Sequence, residues 1–259
     1  MIKQAIILAG GLGTRLKAVI KDIPKPMADI DGKPFLEYLL RFLSAQGIEE
    51  VIISCGYKHE VIENYFKGRF GGLKIYYSIE SEPLGTGGAV KKALEFINAG
   101  NKNADNKKYE DILILNGDTF FNISLKELYG FHKAKNSDLT LALKALKNFD
   151  RYGTVKIDYN NKIKGFEEKK PQKEGFINGG IYLLSVNLIN LLLSSKLNLS
   201  AVFSFEKDFL EVYYNYKDKD IKKGFGLYGL PFDENSYFID IGIPSDYESA
   251  KKELKNQLK

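Results

Sequence analysis

Tryptophan is absent from this 259-residue chain, cysteine occurs once, and histidine and methionine occur twice each. The single Cys55 excludes an intrachain disulfide, and with only His59 and His132 beside it no Cys/His zinc cage can be assembled. Any metal chemistry must rest on carboxylates, which suit hard cations. Arginine is scarce as well: Arg15, Arg41, Arg69 and Arg151 stand against a large excess of lysine. Proteins that read base sequence lean on arginine forks, so no nucleic-acid partner is expected. Long apolar runs are missing too. Ala5 to Ala9 is too short for a signal-peptide core and far too short for a membrane span, so a cytoplasmic protein without a membrane partner is expected.

What is present is the composition of a folded enzyme-sized domain, with 44% hydrophobic and 27% charged residues and a diffuse formal charge of +5. The length suits one compact α/β domain, and no appended module is expected. A small anionic substrate fits this charge better than a polymer does.

Along the chain, Gln4 to Ala9 reads as a buried strand ending at Gly10-Gly11. Lys33 to Gln46 has apolar residues at helical spacing, and strand and helix then alternate: Val51 to Ser54, Lys58 to Phe66, Leu73 to Ser78, Thr86 to Asn98 and Asp111 to Leu115. Such alternation predicts a mostly parallel sheet covered by helices on both faces. After Asn136 the pattern turns strand-like, at Leu139 to Leu146, Thr154 to Asp158, Ile163 to Glu167 and Ile177 to Leu184, which predicts a mixed or antiparallel extension. Helices are expected near Phe205 to Tyr214 and Ser245 to Leu258, and solvated loops at Gly100 to Lys108, Lys169 to Gly175 and Lys217 to Lys223.

Several motifs carry chemistry. Leu8-Ala9-Gly10-Gly11-Leu12-Gly13-Thr14-Arg15 follows the first strand, and its glycines let backbone N–H groups approach phosphate oxygens. Neither a dinucleotide fingerprint nor a Walker loop fits, because Leu16 stands where the first needs glycine and no Gly-Lys-Ser/Thr follows. Pro24-Lys25-Pro26 fixes the backbone on both sides of one lysine, which aims a cation; alone it would be an ordinary turn. Glu80-Ser81-Glu82-Pro83-Leu84-Gly85-Thr86-Gly87-Gly88 leads into a helix whose start offers N–H groups and a positive dipole end, with Thr86 as a cap in the plainer reading. Asn116-Gly117-Asp118 sets a carboxylate at the end of a buried strand, where open α/β sheets bind ligands. Its partner would be Asp240, an acid amid the apolar residues of Phe238 to Pro244, costly to bury unless paired or metal-bound. Between them lie Tyr152-Gly153, Glu168-Lys169 and Asn178.

This ordered series, running from the first strand to the last helix, resembles the sugar-1-phosphate nucleotidylyltransferases. The resemblance implies a Rossmann-like nucleotide-binding α/β core with a mixed, mostly parallel sheet flanked by helices. Residues 1–135 would form the nucleotide half of a single domain and 136–259 the sugar-phosphate half. It further implies transfer of a nucleotidyl group from an NTP to a sugar 1-phosphate, with release of pyrophosphate and formation of an NDP-sugar for glycan synthesis. Carried over residue by residue, Leu8, Gly10, Gly11, Gly13 and Thr14 would cradle the triphosphate, with Glu80, Glu82, Gly85, Thr86 and Gly87 on the nucleoside side. Arg15 and Lys25 would neutralise phosphate charge, and Asp118 and Asp240 would hold Mg²⁺. Gly117, Tyr152, Gly153, Glu168, Lys169 and Asn178 would meet the sugar phosphate. Lys170 departs from the family, where proline often follows the Glu-Lys pair.

Lys25-Pro26-Met27, Gly32 to Tyr38 and Phe203-Ser204-Phe205-Glu206 look most like the branch that uses GTP and a manno-heptose 1-phosphate. Guanine's N–H donors suit a carboxylate, so Glu80 or Glu82 would read the base. Mannose or glucose 1-phosphate with another NTP is the alternative, and the oligomeric state is left open, a homodimer included. A related glycosyltransferase would want Asp-x-Asp where Asn116-Gly117-Asp118 stands, and an inactive nucleotide sensor should have lost one of Arg15, Lys25, Asp118, Lys169 or Asp240.

Overall fold

The short run Gln4–Leu8 becomes the central strand β1 because it is apolar on both faces: Ala5 and Ile7 pack into one core and Ile6 into the other. The computed structural model describes residues 1–11, 13, 16, 19–20, 22–100, 110–197, 199–211 and 226–257. A small hairpin, β2 (Asp29–Ile30) and β3 (Lys33–Pro34), precedes α1 (Phe35–Ala45). Then follow β4 (Glu50–Cys55), α2 (His59–Phe66), β5 (Arg69–Phe70), β6 (Leu73–Ile79) and α3 (Gly85–Gly100). The chain continues through β7 (Ile112–Asn116), β8 (Thr119–Phe121), α4 (Leu125–Ala134), β9 (Leu139–Phe149), β10 (Thr154–Ile157), β11 (Ile163–Glu167) and β12 (Gln172–Leu184). It closes with α5 (Val186–Leu193), a π-helical segment Phe205–Glu211, β13 (Leu227–Phe232), β14 (Phe238–Asp240) and α6 (Pro244–Glu253).

Among the described residues ten strands form one sheet, in the order β11-β10-β12-β7-β1-β4-β6-β5, with β9 on β12 and β13 on β9. The pairs β7·β1, β1·β4 and β4·β6 are parallel, as the strand–helix alternation predicts. The later strands reverse this. β12 runs antiparallel to β7 and β9, and β10 antiparallel to β11, while β13 returns parallel to β9. Strand alternation sends Leu113 and Leu115 to the face covered by α1, α2, α4 and α6, and Ile112 and Ile114 to the face covered by α3, α5 and the π-helical segment. No helix among the described residues is long and apolar enough to cross a membrane.

Three expectations are corrected. Lys169 to Gly175 is not all loop: β12 begins at Gln172, pairing Gln172 with Phe149 and Glu174 with Lys147. These pairs lie on a solvated extension of the β9–β12 ladder that carries no apolar alternation to betray it. The helix expected from Phe205 is π-helical and is described only to Glu211, and the last helix starts at Pro244 and gives way to a 3₁₀ turn at Leu254–Asn256. The loop expectations at 101–108 and 217–223 fall outside the described residues.

His132, on α4, is 1% exposed, with Nδ1 2.8 Å from Thr140 Oγ1 and Nε2 without a hydrogen-bond partner. Burial lowers its pKa from 6.5 to about 4, against the opposing pull of Asp111. Between those values the unfolded chain binds the proton and the folded one does not. The contribution is thus intact above pH 6.5 and is lost as pH falls toward 4. Urea unfolding should therefore show a steeper stability loss from pH 6.5 to 4 in the native protein than in His132→Gln; equal slopes would contradict this assignment.

Candidate functional site

The site lies at the carboxyl ends of β1 and β7, where Leu8 sits opposite Asn116 in parallel register and the sheet order reverses direction around β1. Gly117 N donates to Leu8 O at 2.9 Å, and a side chain on Gly117 would meet that same oxygen at 2.6 Å. Its glycine thus serves the close approach of the two strand ends. The next residue, Asp118, meets its distant partner through β8 and β14, an antiparallel pair in which Thr119 faces Asp240. Ile241 N donates to Asp118 O at 3.0 Å, so the backbone itself holds the two acids side by side.

Between them stands Lys25, in a 3₁₀ turn that the flanking prolines stiffen. Its Nζ is 2.6 Å from Asp118 Oδ2 and 3.5 Å from Asp240 Oδ1, and its side chain is only 12% exposed. Burial and then the neighbouring Asp118 push the Asp240 carboxyl above the usual carboxylate range, and Lys25 opposes both. Asp240 Oδ1 is buried without a hydrogen bond. Two close carboxylates with an unsatisfied oxygen suit a divalent cation. No third His, Cys, Asp or Glu completes a metal cage among the described residues, so most ligands would have to come from substrate and water, as Mg²⁺ commonly accepts.

A cavity of about 340 Å³ adjoins this cluster. It brings together Leu8, Gly10, Gly11, Lys25, Glu80, Gly85, Thr86 and Asp118 from the sequence-predicted set. Its size is that of a small-molecule site. Glu80 accepts from Ser54 Oγ (3.2 Å) and Leu84 N (3.1 Å), and its Oε1 lies where a side chain on Gly10 would stand. Glu82 is exposed and does not line the cavity, so the structure separates two acids that the sequence left equivalent. Thr14 and Arg15 lie outside the described residues, while Gly13, with φ +56°, packs beside Lys25.

The sugar-side residues are more dispersed. Tyr152 packs edge-on against Phe238, with burial and then Asp240 raising its pKa to about 12, and Gly153 abuts Glu167 O. Glu168 is exposed and paired with Lys207 at 3.2 Å, and Lys169 is exposed with no anionic partner among the described residues. Asn178 Nδ2 donates to Tyr182 Oη and Glu206 Oε1, both at 2.8 Å, and the Tyr182 hydroxyl donates to Glu206 Oε1 at 2.5 Å. Tyr182 and Glu206 both line the cavity, as do Asn116 and Phe205, although sequence reasoning gave these four no role. The available signal was an acid directly after Phe203-Ser204-Phe205, and π-helical turns recur at functional sites.

At the start of α3 two N–H groups are already engaged: Gly87 N donates to Phe203 O at 2.9 Å and Gly88 N approaches it at 3.4 Å. Thr86 does not cap α3, because its Oγ1 accepts from Phe205 N at 2.9 Å. Gly87 serves this crossing chain, since a side chain there would overlap the Phe203 ring.

The profile of the nucleotidyl transferase family matches residues 4–257. Over 255 residues the chain is 48% identical to a D-glycero-alpha-D-manno-heptose 1-phosphate guanylyltransferase of Aneurinibacillus thermoaerophilus, covering 98% of this chain and 100% of that protein. It is 50% identical over 244 residues to the enzyme of the same name from Campylobacter jejuni, covering 94% and 96%. Among solved structures it is similar to HddC from Yersinia pseudotuberculosis complexed with GMP-PN, at a TM-score of 0.76 and 36% identity over 97% of this chain and 99% of that one.

The contact between Gly87 and Phe203 yields a direct test. Gly87→Ala should lose about 1–3 kcal/mol of stability through overpacking, read as a lower urea midpoint. An unchanged midpoint would mean that the ring turns aside freely.

Proposed function

The chain belongs to the nucleotidyl transferase family, and within it we propose that this protein transfers a guanylyl group from GTP to D-glycero-α-D-manno-heptose 1-phosphate, releasing pyrophosphate. One observation carries the reading: a single cavity has the Glu80 carboxylate on one wall and, on another, the Lys25 ammonium bracketed by Asp118 and Asp240. Glu80 suits the N–H donors on guanine's pairing edge, since a carboxylate only accepts. Lys25 and the paired acids suit a triphosphate and its counterion.

The reaction brings two polyanions together for in-line attack of a sugar-phosphate oxygen on the α-phosphorus. The attacking oxygen is already ionised, so the site needs charge and positioning rather than a general base. Asp118 and Asp240 would hold Mg²⁺, which when bound supplies neutralisation of the phosphate charge. Lys25 would bind phosphate oxygens, the Gly10-Gly11 backbone would let the triphosphate approach, and Thr14 and Arg15, next in sequence, would add a hydroxyl and a cation for the phosphates. Lys169, exposed and without an anionic partner among the described residues, is available to the sugar phosphate. Asn178 and Glu206 present polar groups to sugar hydroxyls, tied to the Glu168 strand end through the Lys207 ion pair.

A pyrophosphate-release assay with Mg²⁺, crossing four NTPs with heptose, mannose and glucose 1-phosphates, should give turnover for GTP with the heptose ester. Turnover confined to another pair would displace the specificity. Lys25→Ala and Asp118→Ala should each lower kcat by roughly 10²–10³ while the fold persists, the scale of losing one transition-state charge contact; near-wild-type rates in either would sink the assignment. Glu80→Gln keeps an acceptor for Leu84 N but loses the charge, and should raise the GTP KM by roughly 10- to 100-fold. The same change at exposed Glu82 should leave that KM unaltered.

A further inference from the structure

The segment around Phe203 is joined to the loop before α3 mainly through backbone. Phe203 N donates to Leu84 O at 3.1 Å, and Gly87 N donates back to Phe203 O at 2.9 Å. Thr86 adds a side chain to this clasp by accepting from Phe205 N at 2.9 Å. The loop is held at its other end by Glu80, whose Oε2 accepts from Leu84 N at 3.1 Å. On the far side of the clasp Glu206 accepts from Tyr182 and Asn178. The two cavity carboxylates are therefore anchored to one loop, Glu80 directly through Leu84 and Glu206 through Phe205 and Thr86.

We infer that Thr86 is a positioning residue that couples nucleotide binding to sugar-phosphate binding. The inference rests on the guanylyltransferase reading and deepens it. A guanine engaged by Glu80 fixes residues 84–88; the Thr86–Phe205 bond transmits that order to the first turn of the π-helical segment and so sets Glu206 against the sugar. Loss of the Thr86 acceptor strands the N–H of buried Phe205 and frees Glu206 from the nucleotide loop, while Glu80 keeps its own bonds. Coupling between sites is reciprocal, so either ligand should report it.

The test is calorimetric. α,β-Methylene GTP, which cannot release pyrophosphate, and the heptose 1-phosphate are each titrated with Mg²⁺, alone and in the presence of the other. In the native protein each should tighten the other by roughly tenfold, within the 5- to 150-fold range common for coupled sites. Thr86→Val should reduce that factor to about twofold or less, whatever its effect on the affinity for the GTP analogue alone, and Thr86→Ser should restore it. A thermal melt confirms that the valine variant is folded, and the serine variant carries the test if it is not, since it must then retain native coupling. Full coupling in a folded Thr86→Val, or absence of coupling in the native protein, would overturn the inference. Failure of the native protein to bind either ligand would instead remove the functional reading, and the inference with it.

Discussion

Two acids held side by side at the end of a buried sheet repel each other, and a cation between them offsets that repulsion. Asp118 and Asp240 are in that position because the β8–β14 pair fixes their backbones, not because their side chains attract. Lys25 sits between them at 2.6 and 3.5 Å, its own side chain largely shielded from water while both carboxylates stay partly exposed. The proline-flanked turn, the glycine that lets β7 meet β1, and the small two-stranded sheet all serve this arrangement of charge.

The second organising element is the crossing of the Phe203 segment over the loop before α3. A glycine-rich loop opening a helix is ordinarily read as a phosphate cradle. Here the N–H groups of Gly87 and Gly88 are directed to a carbonyl of the chain's own later half. Part of the positive helix end is thus used for tertiary assembly.

Much of this was legible in the sequence. The central strands carry continuous apolar runs, and Asn116-Gly117-Asp118 and the apolar stretch around Asp240 marked the two acids before their meeting was visible. The polar start of β12 was hidden because its pairing with β9 is solvated on both sides and leaves no hydrophobic period. Glu82 and Glu80 were indistinguishable as letters; only burial and the bond to Leu84 N separate them. Tyr182, Phe205 and Glu206 escaped assignment for a related reason. Their role depends on a crossing between residues 84–88 and 203–205, a contact between distant segments that no local pattern encodes.

The pairing of Thr119 with Asp240 also bears on how the molecule comes into being. Nearly half the chain separates those partners, so the contact closes one of the largest loops in the fold, and contacts of that span form slowly because closure entropy comes first. The parallel core around β1 can assemble while the carboxylate at the end of β7 still faces water alone. Catalytic competence would then arrive as a late, discrete event in folding, with the nascent domain inert toward nucleotides until residues 238–241 have docked.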